Sequence, residues 1–143
     1  MKLFKLFILS CLLAFALKAQ LPVKMVDGTG IELGTTRTMT ATIASGTSLS
    51  SAVSVRGCSI AALIIPASWT AAVITFQVSM DGVTYYNYYN SSGSEPSITV
   101  ASSTAVQIDP ALLWVFPYII VRSGTAATPV TQSGAKVVTL VCR

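Results

Sequence analysis

The run Val73-Ile-Thr-Phe-Gln-Val-Ser-Met80, the pair Asp81-Gly82, and the run Val83-Thr-Tyr-Tyr-Asn-Tyr-Tyr89 together decide the fold class. Side chains alternate across an extended chain, so Ile74, Phe76, Val78 and Met80 share one face and Thr75, Gln77 and Ser79 the other. Asp-Gly supplies the positive φ of a tight hairpin turn, which predicts that Val83 to Tyr89 returns as an antiparallel neighbour.

The same period continues on both sides. Met39, Ala41 and Ile43 alternate with Thr38, Thr40 and Thr42, and Val53 and Val55 follow a Ser/Gly/Thr loop. Ile60 to Ile65 is almost wholly apolar and predicts a strand buried on both faces, stopped by Pro66. Short strands are expected at Ile98 to Ala101 and Ala105 to Ile108. Asp109-Pro110-Ala111 has the chemistry of one helical turn, with Asp109 as cap and proline at the first position. Tyr118 to Arg122 and Lys136 to Cys142 close the chain. Short strands at this spacing predict an all-β fold, a single antiparallel β-sandwich of jelly-roll-like form over residues 38–143.

Composition agrees and narrows the function. Hydrophobic residues make up 52% of the 143 and charged residues only 10%, against about a quarter in an ordinary domain. A chain with so few charges suits packed assembly, so a homo-oligomer is expected. Lys2, Lys5 and Lys18 precede every acid. Setting them aside leaves six basic and five acidic residues, a net charge of +1. No basic cluster remains to follow a phosphate backbone, and direct nucleic-acid binding is not expected.

The first residues, MKLFKLFILSCLLAFALKAQ, place two lysines before an apolar run and end in small residues. This is the plan of a signal peptide, with cleavage after Ala16 or Ala19. If retained, residues 1–19 read instead as a buried hydrophobic helix, and contact with a membrane would come only through them. Cys11 sits in a poor lipobox. Residues 20–37 are turn-rich, with Pro22, Asp27-Gly28 and Gly30, and read as an extended arm.

Catalysis has little to work with. The chain holds no histidine, which removes the commonest general base and transition-metal ligand. Asp27, Glu32, Asp81, Glu95 and Asp109 stand apart from one another. Asp81 and Asp109 read as turn and cap residues rather than Ca²⁺ ligands, and Gly28 and Gly30 lack the Lys-Ser/Thr of a phosphate loop. No catalytic residue, cofactor site or metal site is expected, and the protein reads as a non-enzyme.

Two groups remain. Tyr85, Tyr86, Tyr88 and Tyr89 crowd one predicted strand. Alternation pairs Tyr86 with Tyr88 and Tyr85 with Tyr89, so one pair can enter the core while the other presents flat rings to a partner chain or a glycan. Ordinary cross-strand packing is the plainer alternative. Trp69 and Trp114 read as core or sandwich-edge residues. Cys58 and Cys142 form an even pair that an oxidising compartment would allow to bridge; otherwise they are two small buried thiols.

The segments Ala41-Thr-Ile-Ala-Ser-Gly-Thr-Ser-Leu-Ser50, Ile64-Ile-Pro-Ala-Ser-Trp69, Ile74-Thr-Phe-Gln-Val-Ser79, Asp81-Gly-Val-Thr-Tyr85 and Tyr118-Ile-Ile-Val-Arg-Ser-Gly124 resemble a family of small bacteriophage virion proteins. Leu21-Pro-Val-Lys-Met-Val-Asp-Gly-Thr-Gly30 is similar to the leaders of head-fibre and other particle proteins. Val78 to Tyr85 looks like the matching hairpin of discoidin-like, galactose-binding jelly rolls. The resemblance implies a structural role in the virion, as a head decoration, head-fibre or tail-associated protein contacting itself and other virion proteins. It transfers no site. The signal-like start implies instead an exported protein, periplasmic or extracellular, either a carbohydrate-binding module or a subunit of a secreted fibre.

Overall fold

A computed structural model describes residues 36–143; the hydrophobic segment 1–19 and residues 20–35 of the arm lie outside the described residues. Among the described residues the strands run β1 (Arg37–Ile43), β2 (Val53–Ser54), β3 (Ile60–Ile64), β4 (Ile74–Ser79), β5 (Tyr86–Asn87), β6 (Ala105–Gln107), β7 (Tyr118–Ser123) and β8 (Lys136–Cys142). A single 3₁₀ turn, Pro110–Leu112, precedes β7, and Asp109 caps it by accepting from the Ala111 amide at 2.9 Å.

The strands form two antiparallel four-stranded sheets, ordered β1-β8-β3-β6 and β2-β7-β4-β5. Apart from the β4–β5 hairpin, each connection passes from one sheet to the other. Eight strands wound in this order make a jelly-roll sandwich, so the all-β expectation holds. Arg37 belongs to β1, where it pairs with Cys142, rather than to the arm.

Alternation explains most of the core. Ala41 and Ile43 of β1, and Val138 and Leu140 of β8, meet Ile74, Phe76, Ile119 and Val121 from the opposite sheet, all fully buried. The exposed partners on β1 are Thr38, Thr40 and Thr42. Each fully buried large apolar side chain contributes roughly 1.5–3 kcal/mol relative to exposure.

Several elements depart from simple alternation. β3 is covered on one face only: Ile64 is 43% exposed, while Ile60, Leu63 and Ile65 point inward. Its pairing with β8 shifts between Ile60 and Ala62. Without that bulge Ile60 and Leu63 would lie on opposite faces; the extra residue returns both to the core. On β4, Ile74, Phe76 and Val78 do face inward, but Thr75 and Ser79 are buried as well, and Met80 lies past the strand end at 67% exposure. The Thr75 hydroxyl donates to the Gly124 carbonyl at 2.8 Å, which satisfies it in its covered position.

The expected return strand shortens to Tyr86–Asn87, and residues 80–85 form a loop rather than a two-residue turn. Gly82 has φ +76°, but Asp81 does not adopt positive φ. Its carboxylate instead accepts from the amides of Val83 and Thr84 at 2.8 and 2.9 Å, which winds the chain further before it pairs. The free edge of β4 is then shared. Val78 and Gln77 pair with Tyr86 and Asn87, the Phe76 carbonyl accepts from the Tyr88 amide, and Ile74 exchanges both backbone bonds with Ile98. The strand expected at Ile98 to Ala101 is reduced to that single bridge.

Candidate interaction site

The tyrosine strand does not divide as alternation predicts. Tyr86 and Tyr89 are exposed, at 67% and 50%, while Tyr85 and Tyr88 are half-buried. Pairing ends at Asn87, so the chain turns after it and the facing interval becomes three residues. Tyr88 meets Phe116 edge-on, with centroids 5.7 Å apart, and packs on the core. Tyr85 leans back over the loop, its hydroxyl reaching the Gly82 carbonyl at 3.4 Å. Burial pushes its hydroxyl pKa up, assisted by neighbouring Tyr118 and by the Asp81 charge. Of the four tyrosines, Tyr86 and Tyr89 are therefore the ones presented to solvent.

The strand is fastened from beneath by a polar cluster. Arg122 on β7 is 4% exposed. Its guanidinium donates to Glu95 Oε1 at 2.8 Å and to Asn87 Oδ1. Glu95 also accepts from the Ala126 amide at 2.9 Å, and Gln77 donates to Asn87 at 3.2 Å. Bidentate use of a buried guanidinium suits arginine. Here it ties β5, the 90–97 loop and β7 together.

Beside the strand lies an apolar surface at one end of the sandwich. A hollow of about 260 Å³ is bordered by Val78, Met80, Asp81, Tyr86 and Phe116. A second, of about 440 Å³, is bordered by Arg56, Cys58, Met80, Trp114 and Phe116. Met80 and Phe116 border both, so the two hollows adjoin across these side chains. Trp114, expected in the core or at the sandwich edge, is 67% exposed, and Val115 is 48% exposed. In the apolar run Leu112-Leu113-Trp114-Val115 the 3₁₀ turn sends only Leu113 fully inward. Exposed apolar side chains grouped in this way mark an interaction surface rather than ordinary scatter.

Each hollow is bordered by one charged residue, Asp81 for the smaller and Arg56 for the larger. Asp81 is exposed, and its Oδ1 accepts from Thr84, Val83 and the Ser79 hydroxyl. Those bonds, that from the Thr84 amide first, hold its pKa down at about 2. The Arg56 guanidinium lies 5.0 Å from the centre of the Tyr118 ring. Gly82 allows that ring close to the turn, since a Cβ there would sit 3.1 Å from it.

Cys58 and Cys142 are joined by a disulfide, with Cα atoms 5.5 Å apart. It fixes the end of β8 beside the start of β3, where Ser59 and Arg143 exchange two backbone bonds. Cys58 borders the larger hollow, so the staple also stiffens one groove wall.

Elsewhere, Lys136 Nζ donates to Ser68 Oγ at 3.2 Å, and Ser68 has φ +61°. No cleft among the described pockets opens on this pair. Gln132 is buried and fully engaged with Thr70 and Ser123. Among the described residues no group of three or more metal-ligating side chains comes together, and no helix is long and apolar enough to cross a membrane.

Sequence reasoning picked out the tyrosines and the cysteine pair, read Trp114 as a core or sandwich-edge residue and Met80 as sharing a strand face with Phe76, and did not single out Val115, Phe116 or Arg56. The available signal was the unalternating apolar run after Asp109-Pro110, which fits neither strand nor helix periodicity. Comparison with protein-family models, with curated proteins and with solved structures returns no match for this chain.

Proposed function

We propose that this protein is a non-enzymatic assembly component of a bacteriophage virion, a head decoration, head-fibre or tail-associated protein, working through contacts between subunits. The observation that carries the assembly reading is the pair of adjoining apolar hollows around Met80 and Phe116, bordered by exposed Tyr86, Trp114 and Val115. Such a surface exchanges water for another apolar surface, and its few charges favour packing over solvation. The virion setting rests on the resemblance of the segments between Ala41 and Gly124. Mass spectrometry of purified particles tests it. The chain is expected at many copies per particle, and its absence from particles together with presence in the culture medium overturns the virion reading.

A second reading has its own support. The Cys58–Cys142 disulfide suits a protein matured in an oxidising compartment, and Tyr86, Tyr89 and Trp114 offer rings on which a sugar could stack. In this reading the chain is an exported carbohydrate-binding module. Glycan-array binding that disappears in Tyr86→Ala would support it, and absence of binding to any glycan would count against it.

A further inference from the structure

We infer that Cys58 is the sulfur of the Cys58–Cys142 bridge that external thiols attack, which makes it a site of reversible mixed-disulfide formation with a small anionic thiol such as glutathione. The inference goes beyond the assembly and export readings and depends on neither. The two cysteines differ in their surroundings. Cys142 is 0% exposed and belongs to the core, on β8 between β1 and β3. Cys58 is half-buried, lies in the loop between β2 and β3, and borders the larger hollow. Thiol–disulfide exchange requires a thiolate to reach one sulfur of the bond. Solvent reaches Cys58 with the sheets intact, whereas Cys142 is reached only when β8 opens.

In the exchange, the thiolate's electron pair forms a bond to Cys58 Sγ, the bridge breaks, and Cys142 leaves as a thiolate. A second thiol that attacks the outer sulfur of the adduct frees Cys58 and departs as a small-molecule disulfide, so two thiols are oxidised for one bridge reduced. The leaving group decides how far this runs. A thiolate at Cys142 sits in the apolar core without water, which is costly. β8 also holds it in place, since Cys142 pairs with Arg37 on one side and with Ile60 on the other. It therefore returns to Cys58, expels the adduct and reseals the bridge.

The preference for an anion comes from Arg56. This residue is exposed, lies two positions before Cys58, and is the charged residue bordering the same hollow, which no acid borders. Its charge raises the local concentration of thiolates, and most of all of thiols that carry carboxylates.

The first test treats full-length Cys142→Ala and Cys58→Ala proteins with oxidised glutathione and maps the adducts to peptides. Both variants lack the bridge, so they share its loss of stability. In native buffer Cys58 is expected to react faster than Cys142 by at least on the order of a hundredfold, the protection that native packing gives a core site. Equal rates overturn the inference. In wild type, bridge opening is expected to rise linearly with reduced glutathione and to be unchanged by guanidinium well below the unfolding transition. A rate that climbs with guanidinium places the attack on the unfolded chain and overturns it. Arg56→Gln supplies the charge test. Opening by glutathione is expected to slow roughly threefold, opening by cationic cysteamine to quicken, and opening by neutral mercaptoethanol to stay the same. Equal change with all three thiols marks a structural effect and overturns the role given to Arg56.

Discussion

Breaking the Cys58–Cys142 bond should cost this domain about as much as truncating its largest core side chain, and the magnitude follows from where the bond lies in the chain. The cysteines are 84 residues apart, so the bond closes most of the domain into one loop. For a loop of that length the chain-entropy relation gives about 15 cal/mol/K, or about 4.5 kcal/mol near 25 °C, by which the cross-link destabilises the unfolded state. An unfolding entropy of about 2.1 cal/mol/K per residue over the described domain converts this to a melting temperature lower by roughly 20 °C. Reduction removes no packing atoms, because Cys142 is buried and Cys58 half-buried on the core as thiols or as a bridge alike. Reduced wild type is therefore the clean perturbation, and the Cys58→Ala, Cys142→Ala double variant is its irreversible counterpart.

The assay is calorimetry or circular dichroism of the oxidised, reduced and double-variant proteins, with thiol titration of each under denaturing conditions. A fall of less than about 5 °C in both perturbed forms would refute the reasoning. It would mean that the unfolded chain already holds its two ends close, so that the cross-link constrains little, or that the bond does not form in solution. Thiol titration separates these two outcomes.

Phe76→Ala empties the most voluminous fully buried site, at the centre of β4, and should cost about 3–5 kcal/mol, read from the guanidinium midpoint at unchanged m-value. Glu95→Leu strands the guanidinium of Arg122, whose side chain is 5% exposed, and should cost about 3 kcal/mol, whereas Arg122→Met combined with Glu95→Leu should recover much of that loss; a double variant no better than the single one would refute the ion-pair account. Asp81 titrates in the fold at about 2, below its ordinary 3.8. Its contribution is therefore present above pH 4 and is lost as pH falls from about 4 through 2. Wild type and Asp81→Asn should differ in denaturation midpoint at pH 5 and converge near pH 2, and a constant difference across that range would exclude the carboxylate as its source.

Much of the sandwich was legible because its signal is local. β1 and β4 alternate in sequence, β7 and β8 are short runs rich in β-branched residues, and the Asp109-Pro110 cap declares itself within three residues. What stayed hidden depends on partners distant in sequence. The bulge at Ile60 to Ala62 exists because β8 pairs with β3 on one side while the core asks for both Ile60 and Leu63 on the other. The tyrosines were assigned by strict alternation, but Asp81 lengthens the turn and pairing stops at Asn87, which exposes Tyr86 and Tyr89 instead of an alternating pair. Arg122 and Glu95 lie 27 residues apart and carry no sequence pattern that joins them. Trp114 reads as a core residue by type; only the geometry of the 3₁₀ turn before it shows that Leu113 takes the inward place.

The sheet edges bear on how such a domain associates. An exposed strand edge is the usual route by which a β-protein with few charges adds to its neighbours. Here β2 and β5 are two residues long and β6 three, too short to template an added strand. The one long edge strand, β1, is covered at its end: Ile43 bridges to Ser50, and the Thr42 carbonyl accepts from the Ser51 amide at 2.8 Å. Arg37, at its other end, donates to the Arg56 carbonyl, which holds the start of the strand against a neighbouring loop. Among the described residues, edge pairing, which a secreted-fibre subunit would need, has only the middle of β1 to use. Exposed Met80, Tyr86, Trp114 and Val115 lie instead around the hollows at Met80 and Phe116, where side chains rather than backbone would make the contact. A contact between side chains at those hollows would cover the surface that makes it, whereas edge pairing would leave a new edge for the next subunit.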